Sequence, residues 1–333
     1  MQKVLVTGAT GFLGKYLVKQ LLEQNYIVYA MGRNQAAGAE LVRMGAIFCE
    51  ADFTDRESCE AYFSGMDAVI HAGALSTVWG PWEDFKKTNV DGTRIVCALC
   101  RKYGVKRLVY VSSPSIYSGK EDRFAIKEPE YDPHNGLNNY IRSKILAEKV
   151  IAKYHAKGLD TVIIRPRGLI GIGDTSLIPR ILKANDKIGI PLFNHGKNKV
   201  DITCVENVAH ACILAMTAQG VSGECFNITN GQPMAFGKIL GMLLKEIHKK
   251  PRFLKLPFEA VYGVACLSEG IYNQFKLKGE PMLTRYTVCT LAFSQTLDIS
   301  KAKEKLGYEP IITLEEGIRN YGKYLLATEY KAK

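Results

Sequence analysis

The sequence predicts an α/β fold, a doubly wound parallel sheet with a smaller C-terminal region beside it. Three observations carry this expectation. Short apolar runs alternate with helical patterns over the first 165 residues, the rhythm of a parallel sheet covered by helices on both faces. The runs are apolar throughout instead of alternating, as strands buried on both sides are. The first of them ends in Gly8, Gly11 and Gly14, three apart, and passes directly into an amphipathic stretch.

In order, Val4–Thr7, Ile27–Met31, Ala46–Cys49, Ala68–His71, Leu108–Ser112 and Thr161–Arg165 read as strands. Between them Gly14–Glu23, Gln35–Met44, Arg56–Phe63, Trp82–Tyr103 and Tyr140–His155 read as helices; in the first, Tyr16, Leu17, Leu21 and Leu22 fall at helical spacing. After Arg165 the rhythm breaks. Residues 166–200 are rich in Gly, Pro and Asn, and further helices are expected over Ser176–Ala184, Val205–Ala218, Phe236–Ile247, Phe258–Tyr272 and Leu314–Leu326. The chain thus divides into a sheet domain, 1–165, and a region, 166–333, over the carboxyl ends of the strands, where open α/β sheets bind ligands. A segment of about 201–230 is expected to return to the first domain.

Composition narrows the function classes. The 333 residues are 47% hydrophobic and 23% charged, an ordinary globular balance. No 18-residue apolar run is present, so no transmembrane helix is expected. A strand is expected within three residues of the start, so no signal peptide is expected. Nine cysteines, an odd number, are scattered through strands and helices; free thiols in the cytoplasm are expected. Cys97 and Cys100 lie in an apolar helical stretch without a second pair or a histidine nearby, so they read as small buried hydrophobes and no metal is expected. The net charge of +11 is dispersed, which points to anionic small molecules and not to nucleic acid. A homodimer is compatible with this composition.

The strand–glycine–helix opening is a site for a dinucleotide. Gly8, Gly11 and Gly14 allow a tight turn and close approach of a backbone, and the free N–H groups of the new helix, around Thr10, Phe12 and Leu13, favour a pyrophosphate. NAD-binding units carry an acid about 20 residues on, at the end of the second strand, for the ribose 2′-hydroxyl. Here that position is Gly32, followed by Arg33. A guanidinium forks onto a 2′-phosphate that a carboxylate repels, so NADP(H) is favoured, with NAD(H) still open. Aspartate at position 32 is expected to reverse the preference.

Tyr140 and Lys144 stand four apart on one helical face, after Asn138 or Asn139 as cap. A phenol with pKa near 10 is a poor acid–base at neutral pH; a neighbouring ammonium favours the phenolate and is expected to bring it toward working pH. Upstream, Val109–Val111 runs into Ser112, Ser113 and Pro114, which sets hydroxyls at the carboxyl edge of the sheet.

Glycine turn, strand-end serine and Y-x-x-x-K pair, in this order and spacing, resemble the extended short-chain dehydrogenase/reductases, the NAD-dependent epimerase/dehydratase family. T-G-A-T-G-F-L-G, N-V-D-G-T from Asn89, R-P-x-x-x-x-G from Arg165, the segments from Asp201 and Phe226, and L-G-Y-E-P from Leu306 resemble that family's marks. The resemblance implies a Rossmann domain, with Tyr140 as general acid–base, Lys144 lowering its pKa and holding the nicotinamide ribose, and Ser113 bonding the reacting oxygen, Ser112 being second in line. It further implies Asp52 and Phe53 near the adenine, and Ala72, Gly73, Ala74, Asn89, Pro166, Gly168 and Leu169 along the rest of the cofactor. Ser112, Ser115 and Arg167 fall on the substrate side. Arg167 would meet a substrate carboxylate or cofactor phosphates, or else form a salt bridge to an acid of the C-terminal region.

Within the family the chain looks most similar to the 3β-hydroxysteroid dehydrogenase-like branch, because Ile116–Gly119 and Arg167 depart from the sugar-nucleotide epimerase pattern. That implies an oxidoreductase of a bulky apolar hydroxy or keto substrate, steroid- or 3-keto-acid-like. A nucleotide-sugar epimerase that stores hydride on NAD, and a non-catalytic NADP(H) sensor, are the alternatives. Phe258, Val261, Tyr262 and Ala265 form one apolar helical face: a core helix, a lid over a hydrophobic substrate, or a weak membrane-surface contact.

Overall fold

The computed structural model describes residues 2–175 and 177–328; Ser176, the expected start of one helix, lies outside them. The centre is a seven-stranded parallel sheet: β1 (Lys3–Thr7), β2 (Ile27–Gly32), β3 (Ile47–Glu50), β4 (Ala68–His71), β5 (Arg107–Val111), β6 (Thr161–Pro166) and β7 (Cys225–Ile228). They lie in the order β3-β2-β1-β4-β5-β6-β7. The direction of winding reverses between β1 and β4, the place where such sheets open a crevice at their carboxyl ends. This is the expected doubly wound fold.

Continuous apolar strands follow from having two cores to feed. In β1, Val4 and Val6 point into one cluster and Leu5 into the other, all fully buried. The first cluster is completed by Leu17, Val18 and Leu21 of α1 (Phe12–Glu23) and Leu41 of α2 (Gln35–Arg43). The second is completed by α3 (Gly92–Lys102), with Val96, Cys97, Leu99 and Cys100, and by Ala147 and Ile151 of α4 (Asn139–His155). Cys97 and Cys100 are free and buried there.

The single helix expected over 82–103 is three pieces: a turn at Trp82–Phe85, a π-helical stretch Lys86–Asp91, and α3. The wide turns carry a buried Asn89, whose side chain bonds outside the helix; π-turns recur where a helix serves a site.

The remaining helices are α5 (Leu177–Lys187), α6 (Val205–Thr217), α7 (Phe236–Glu246), α8 (Phe258–Gln274), α9 (Arg285–Ala292), α10 (Ser300–Leu306) and α11 (Leu314–Thr328). Helices α9 and α10 were not foreseen, being only two turns long. α5, α7 and α11 enclose a separate apolar core. A second, four-stranded sheet runs Met234–Ala235, Lys199–Val200, Gln295–Leu297, Arg123–Ile126, so a strand from before β6 belongs to it. In α8, Val261 and Ala265 are buried against Phe193, Val288 and Ala292, as a core helix requires, while Val264, Leu267 and Ile271 on the other side are exposed. No described helix is long and apolar enough to cross a membrane.

One buried ion pair ties β6 to α4. Arg165 donates through Nε to Glu148 Oε1 at 2.8 Å and through Nη2 to Oε2 at 2.5 Å, while Nη1 donates to the Tyr117 hydroxyl and the Glu128 carbonyl, both at 2.6 Å. Removing one partner strands the other charge in the interior. Arg165→Met is therefore expected to lower the unfolding free energy by about 3–5 kcal/mol, read as a shift of the urea midpoint.

Candidate active site

The glycine turn is shaped by contacts that no side chain fits. Gly8 has φ +70°, and a Cβ there would stand 2.6 Å from Gly73 Cα; one on Gly14 would stand 2.2 Å from the Gly8 carbonyl. Gly8 and Gly73 therefore pack backbone to backbone across the switch point, which brings Ala72, Gly73 and exposed Ala74 beside the turn. α1 begins here with Gly11 as its cap, no capping side chain and no acid in its first turn. Its first N–H groups, those of Phe12 and Leu13 among them, face outward as an anion site. The cradle fits a dinucleotide pyrophosphate.

Thr10 has a different task. A Cβ on Gly32 would lie 2.6 Å from Thr10 Oγ1 and 2.7 Å from its Cγ2. A side chain at position 32 would need Thr10 to shift, so aspartate there carries a packing cost beside any effect on the cofactor. Arg33 is exposed, with Nη1 3.2 Å from Asp52 Oδ2. Burial raises the Asp52 carboxyl, but the Thr54 N–H and hydroxyl, each donating to Oδ1 at 2.9 Å, and Arg33 together hold it below its ordinary value. Phe53 wedges against Gly73 and Gly92 and lies edge-on to His71, ring centroids 5.1 Å apart.

Beneath the crevice runs a chain of hydrogen bonds that sequence reading missed. His71 is fully buried; Nδ1 lies 2.6 Å from Thr7 Oγ1 and Nε2 3.1 Å from Thr93 Oγ1. Burial first, then the Lys144 charge, push its pKa down to about 3, so the ring is neutral. Thr93 donates to the Asn89 carbonyl at 2.6 Å, which assigns the His71 proton to Nε2 and makes Nδ1 the acceptor from Thr7. The Asn89 side chain accepts from Leu75 N–H at 2.7 Å and donates to the Leu75 carbonyl at 3.0 Å and to Ser143 Oγ at 2.8 Å. Both its amide hydrogens are thus spent. Asn89, expected along the cofactor, ties the segment after Ala74 to α4.

At the carboxyl end of β5 the serines divide. Ser112 is buried and its hydroxyl donates to Glu148. It is committed to the Arg165 network, which removes it from the substrate side. Ser113 and Ser115 face one another, Oγ to Oγ 2.9 Å, and Ser113 reaches the phenol of Tyr140. Asn138 caps α4 by accepting from Ile141 N–H at 2.8 Å. Tyr140 and Lys144 then fall on the face turned to β5, where Lys144 Nζ donates to the Val111 carbonyl at 2.7 Å and lies 4.4 Å from the centre of the Tyr110 ring.

The electrostatics differ from expectation. Burial pushes Tyr140 up to about 12, the Ser113 hydrogen bond opposing and Tyr286 adding. Burial pulls Lys144 down to about 7, against the support of Glu148 one helical turn away. Desolvation is the leading cause in both groups, with Ser113 and Tyr286 acting on Tyr140 and Glu148 on Lys144.

After β6, Pro166 pairs with Ile228 and Leu169 with Thr203, and Gly168 takes φ +49° between them. Arg167 is 6% exposed. Its N–H donates to the Ile228 carbonyl at 3.0 Å and its carbonyl accepts from the Thr203 hydroxyl. Among the described residues its guanidinium has no salt bridge, and Nε has no hydrogen-bond partner. The alternative of a salt bridge to a C-terminal acid is thereby set aside.

Residues 4–229 match the model of the NAD dependent epimerase/dehydratase family. The chain belongs to this family. It is 32% identical over 325 residues to a 2-alkyl-3-oxoalkanoate reductase of Stenotrophomonas maltophilia, covering 95% of this chain and 97% of the other. It is 31% identical over 331 residues to a decarboxylating sterol-4-alpha-carboxylate 3-dehydrogenase of Schizosaccharomyces pombe, covering 96% of each. Among solved structures, a UDP-glucose 4-epimerase of Thermotoga maritima with UDP-glucose superposes with a TM-score of 0.77 at 25% identity, covering 98% of this chain and 100% of that one. The expected extended branch and the expected class, an NAD(P)-dependent oxidoreductase, agree with these relatives.

Glu148 was missed, although its place four residues after Lys144 put it on the same helical face. Tyr286, on the short helix α9, gave no signal.

The Lys144 shift has a measurable consequence. Between about pH 7 and 10.5 the unfolded chain holds a proton at this lysine that the folded chain has released, so the residue's contribution to stability rises with pH across that window. Relative to Lys144→Met, wild type is expected to be least stable below pH 7 and to gain steadily toward pH 10. Urea midpoints of both proteins at three pH values check this.

Proposed function

We propose that the chain is an NADP(H)-dependent oxidoreductase that interconverts a hydroxyl and a keto group on a bulky, largely apolar substrate, with Tyr140 as general acid–base. One observation carries it: Tyr140, Ser113 and Lys144 converge at the carboxyl end of β5, beside the Gly8–Gly73 contact where a dinucleotide cradle opens. The bound cofactor supplies or takes up hydride at the nicotinamide. Everything else falls to the chain. The N-terminus of α1 binds the pyrophosphate, and Arg33 meets the 2′-phosphate at the mouth. Lys144 is held by the Val111 carbonyl where it can share the nicotinamide ribose. Ser113 and Tyr140 direct hydroxyls at the substrate oxygen, and Tyr140 gives its proton to that oxygen in reduction and takes it back in oxidation.

The names of the two relatives support a keto acid or a sterol-like substrate. The likeness to a UDP-glucose 4-epimerase supports a second reading, an epimerase that returns its hydride. Net consumption of NADPH in the presence of a keto substrate separates the two, because an epimerase turns over no cofactor.

Tyr140→Phe is expected to lower turnover by about 10²–10⁴-fold, with the NADPH dissociation constant changing far less; stopped turnover assays and fluorescence titration measure each. Arg33→Ala is expected to weaken NADPH by about 1–2 kcal/mol, since an exposed guanidinium is screened by solvent, and to leave NADH nearly as before. Equal affinities for the two cofactors in wild type would overturn the NADP(H) assignment.

A further inference from the structure

Helix α8 buries one face and leaves an uncharged one in water. Of its 17 residues only Glu259 and Glu269 carry a charge. Glu269 is buried and accepts from the N–H and Nε of Arg285, at 2.6 Å each. The exposed residues from Ala260 to Phe275 therefore hold no charge at all. Val264, Leu267 and Ile271 are spaced i, i+3 and i+7 along one stripe, and Phe275 continues it past the helix end. Leu267 is 70% exposed, Phe275 69%, and Met282 in the following loop 79%. Single apolar residues on a surface are ordinary, but a contiguous patch of them marks a face that something covers.

The surrounding charges say what covers it. Lys255 ends the short strand Phe253–Lys255, just before the helix, and Lys276 and Lys278 follow its last turn. All three are exposed, and none makes a salt bridge among the described residues. Of the acids in the same stretch, Glu269 is taken by Arg285 and Glu280 by Arg180, through two bonds of 2.8 Å; only Glu259, in the first turn, is left. The lysines bracket a helix about 25 Å long at 1.5 Å per residue. An occupant must be apolar along its middle and anionic over at least that span. The interface of an anionic bilayer is both. A second copy of the chain is not, because a twofold pairing of the helices, parallel or antiparallel, would set lysines against lysines.

We infer that α8 and the loop after it form a docking face for an anionic membrane surface. The helix lies in the plane of the interface, with Val264, Leu267, Ile271 and Phe275 in the acyl boundary and the lysines on headgroup phosphates. Nothing in this arrangement crosses the bilayer. The packed side of the helix reaches the candidate site: Tyr272 lies edge-on to Trp79, ring centroids 6.2 Å apart, in a loop whose Val78 and Gly80 carbonyls accept from Asn138 and Asn139 at 3.3 and 3.0 Å. α8 thereby joins the docking face to the end of α4 that carries Tyr140. The docking stands independently of the reaction proposed above.

The test is sedimentation of the full-length protein with vesicles of phosphatidylcholine and phosphatidylglycerol in equal parts, beside vesicles of phosphatidylcholine alone. Wild type is expected to sediment with the mixed vesicles, several-fold less with the neutral ones, and less again at high salt. Leu267→Gln combined with Ile271→Gln is expected to weaken binding about ten-fold or more. Lys276→Gln combined with Lys278→Gln is expected to weaken it several-fold, on the mixed vesicles only. These side chains are exposed, so an unchanged melting temperature is expected and checks the fold of each variant. Cys266, the one exposed cysteine, neighbours Leu267; a solvent-sensitive dye attached to it is expected to shift to the blue on mixed vesicles. Absence of sedimentation with mixed vesicles overturns the inference, as does equal binding by wild type and the Leu267 and Ile271 variant. Sedimentation without a shift of the dye would put another face on the membrane and overturn it as well. A dimer that the same variant dissociates, with no binding to vesicles, would give the face to a second copy instead.

Discussion

The buried pair of Arg165 and Glu148 is the interaction on which the site depends. Glu148 lies one helical turn beyond Lys144, Ser112 is the residue before Ser113, and Arg165 comes two before Arg167. A single network therefore fixes the helix that carries Tyr140 and Lys144, the strand end that carries Ser113 and the start of the segment that carries Arg167. The Arg165 guanidinium satisfies both carboxylate oxygens, the Tyr117 hydroxyl and a backbone carbonyl. Two charges buried this deeply gain little net stability over an apolar pair. Their contribution is register: an apolar substitute would not say which turn of α4 must face β5.

The cofactor side is governed by closeness. Gly8 on Gly73, and Gly14 on the Gly8 carbonyl, let two strand ends and a helix start converge where any Cβ would force them apart. Closeness leaves backbone groups to be satisfied, and the Thr7–His71–Thr93–Asn89 chain does this without introducing a charge. A histidine held neutral this way suits a place next to Lys144, because a protonated ring would repel the ammonium. Gly32 belongs to the same scheme. Its missing side chain makes way for Thr10, so the absence of the NAD-type acid there has a packing cause as well as an electrostatic consequence.

Much of this was legible in the chain. The parallel sheet could be read because strands buried on both faces are continuously apolar, and the cradle because glycine at fixed spacing has few other uses between a strand and a helix. Tyr140 and Lys144 could be placed together because a helix imposes the spacing. What stayed hidden has physical reasons. The bonds of Asn89 to Leu75 and Ser143 could not be read from the chain, because hydrogen-bond partners are a tertiary fact. Ser112 and Ser113 differ by one position along a strand, and which hydroxyl turns inward depends on Glu148 waiting behind. Short helices such as α9 carry too few turns for periodicity to register, so Tyr286 had no sequence signature. That Arg167 Nε is buried without a hydrogen-bond partner among the described residues could be seen only in three dimensions.

The displaced pKa values of Tyr140 and Lys144 are two faces of one constraint. A site that excludes water favours neutral forms, which raises the phenol and lowers the amine. As phenolate and ammonium the two groups would support each other, and the attraction between them grows as the surroundings become less polar. Burial therefore moves each group toward its neutral form. Under the proposed reaction, neutral Tyr140 would have its proton ready to give to a substrate oxygen, and an ammonium at Lys144 would favour the phenolate left behind. A stabilisation that arises only as the phenolate forms would act in the transition state more than before it, the condition under which an interaction raises the rate instead of only tightening binding.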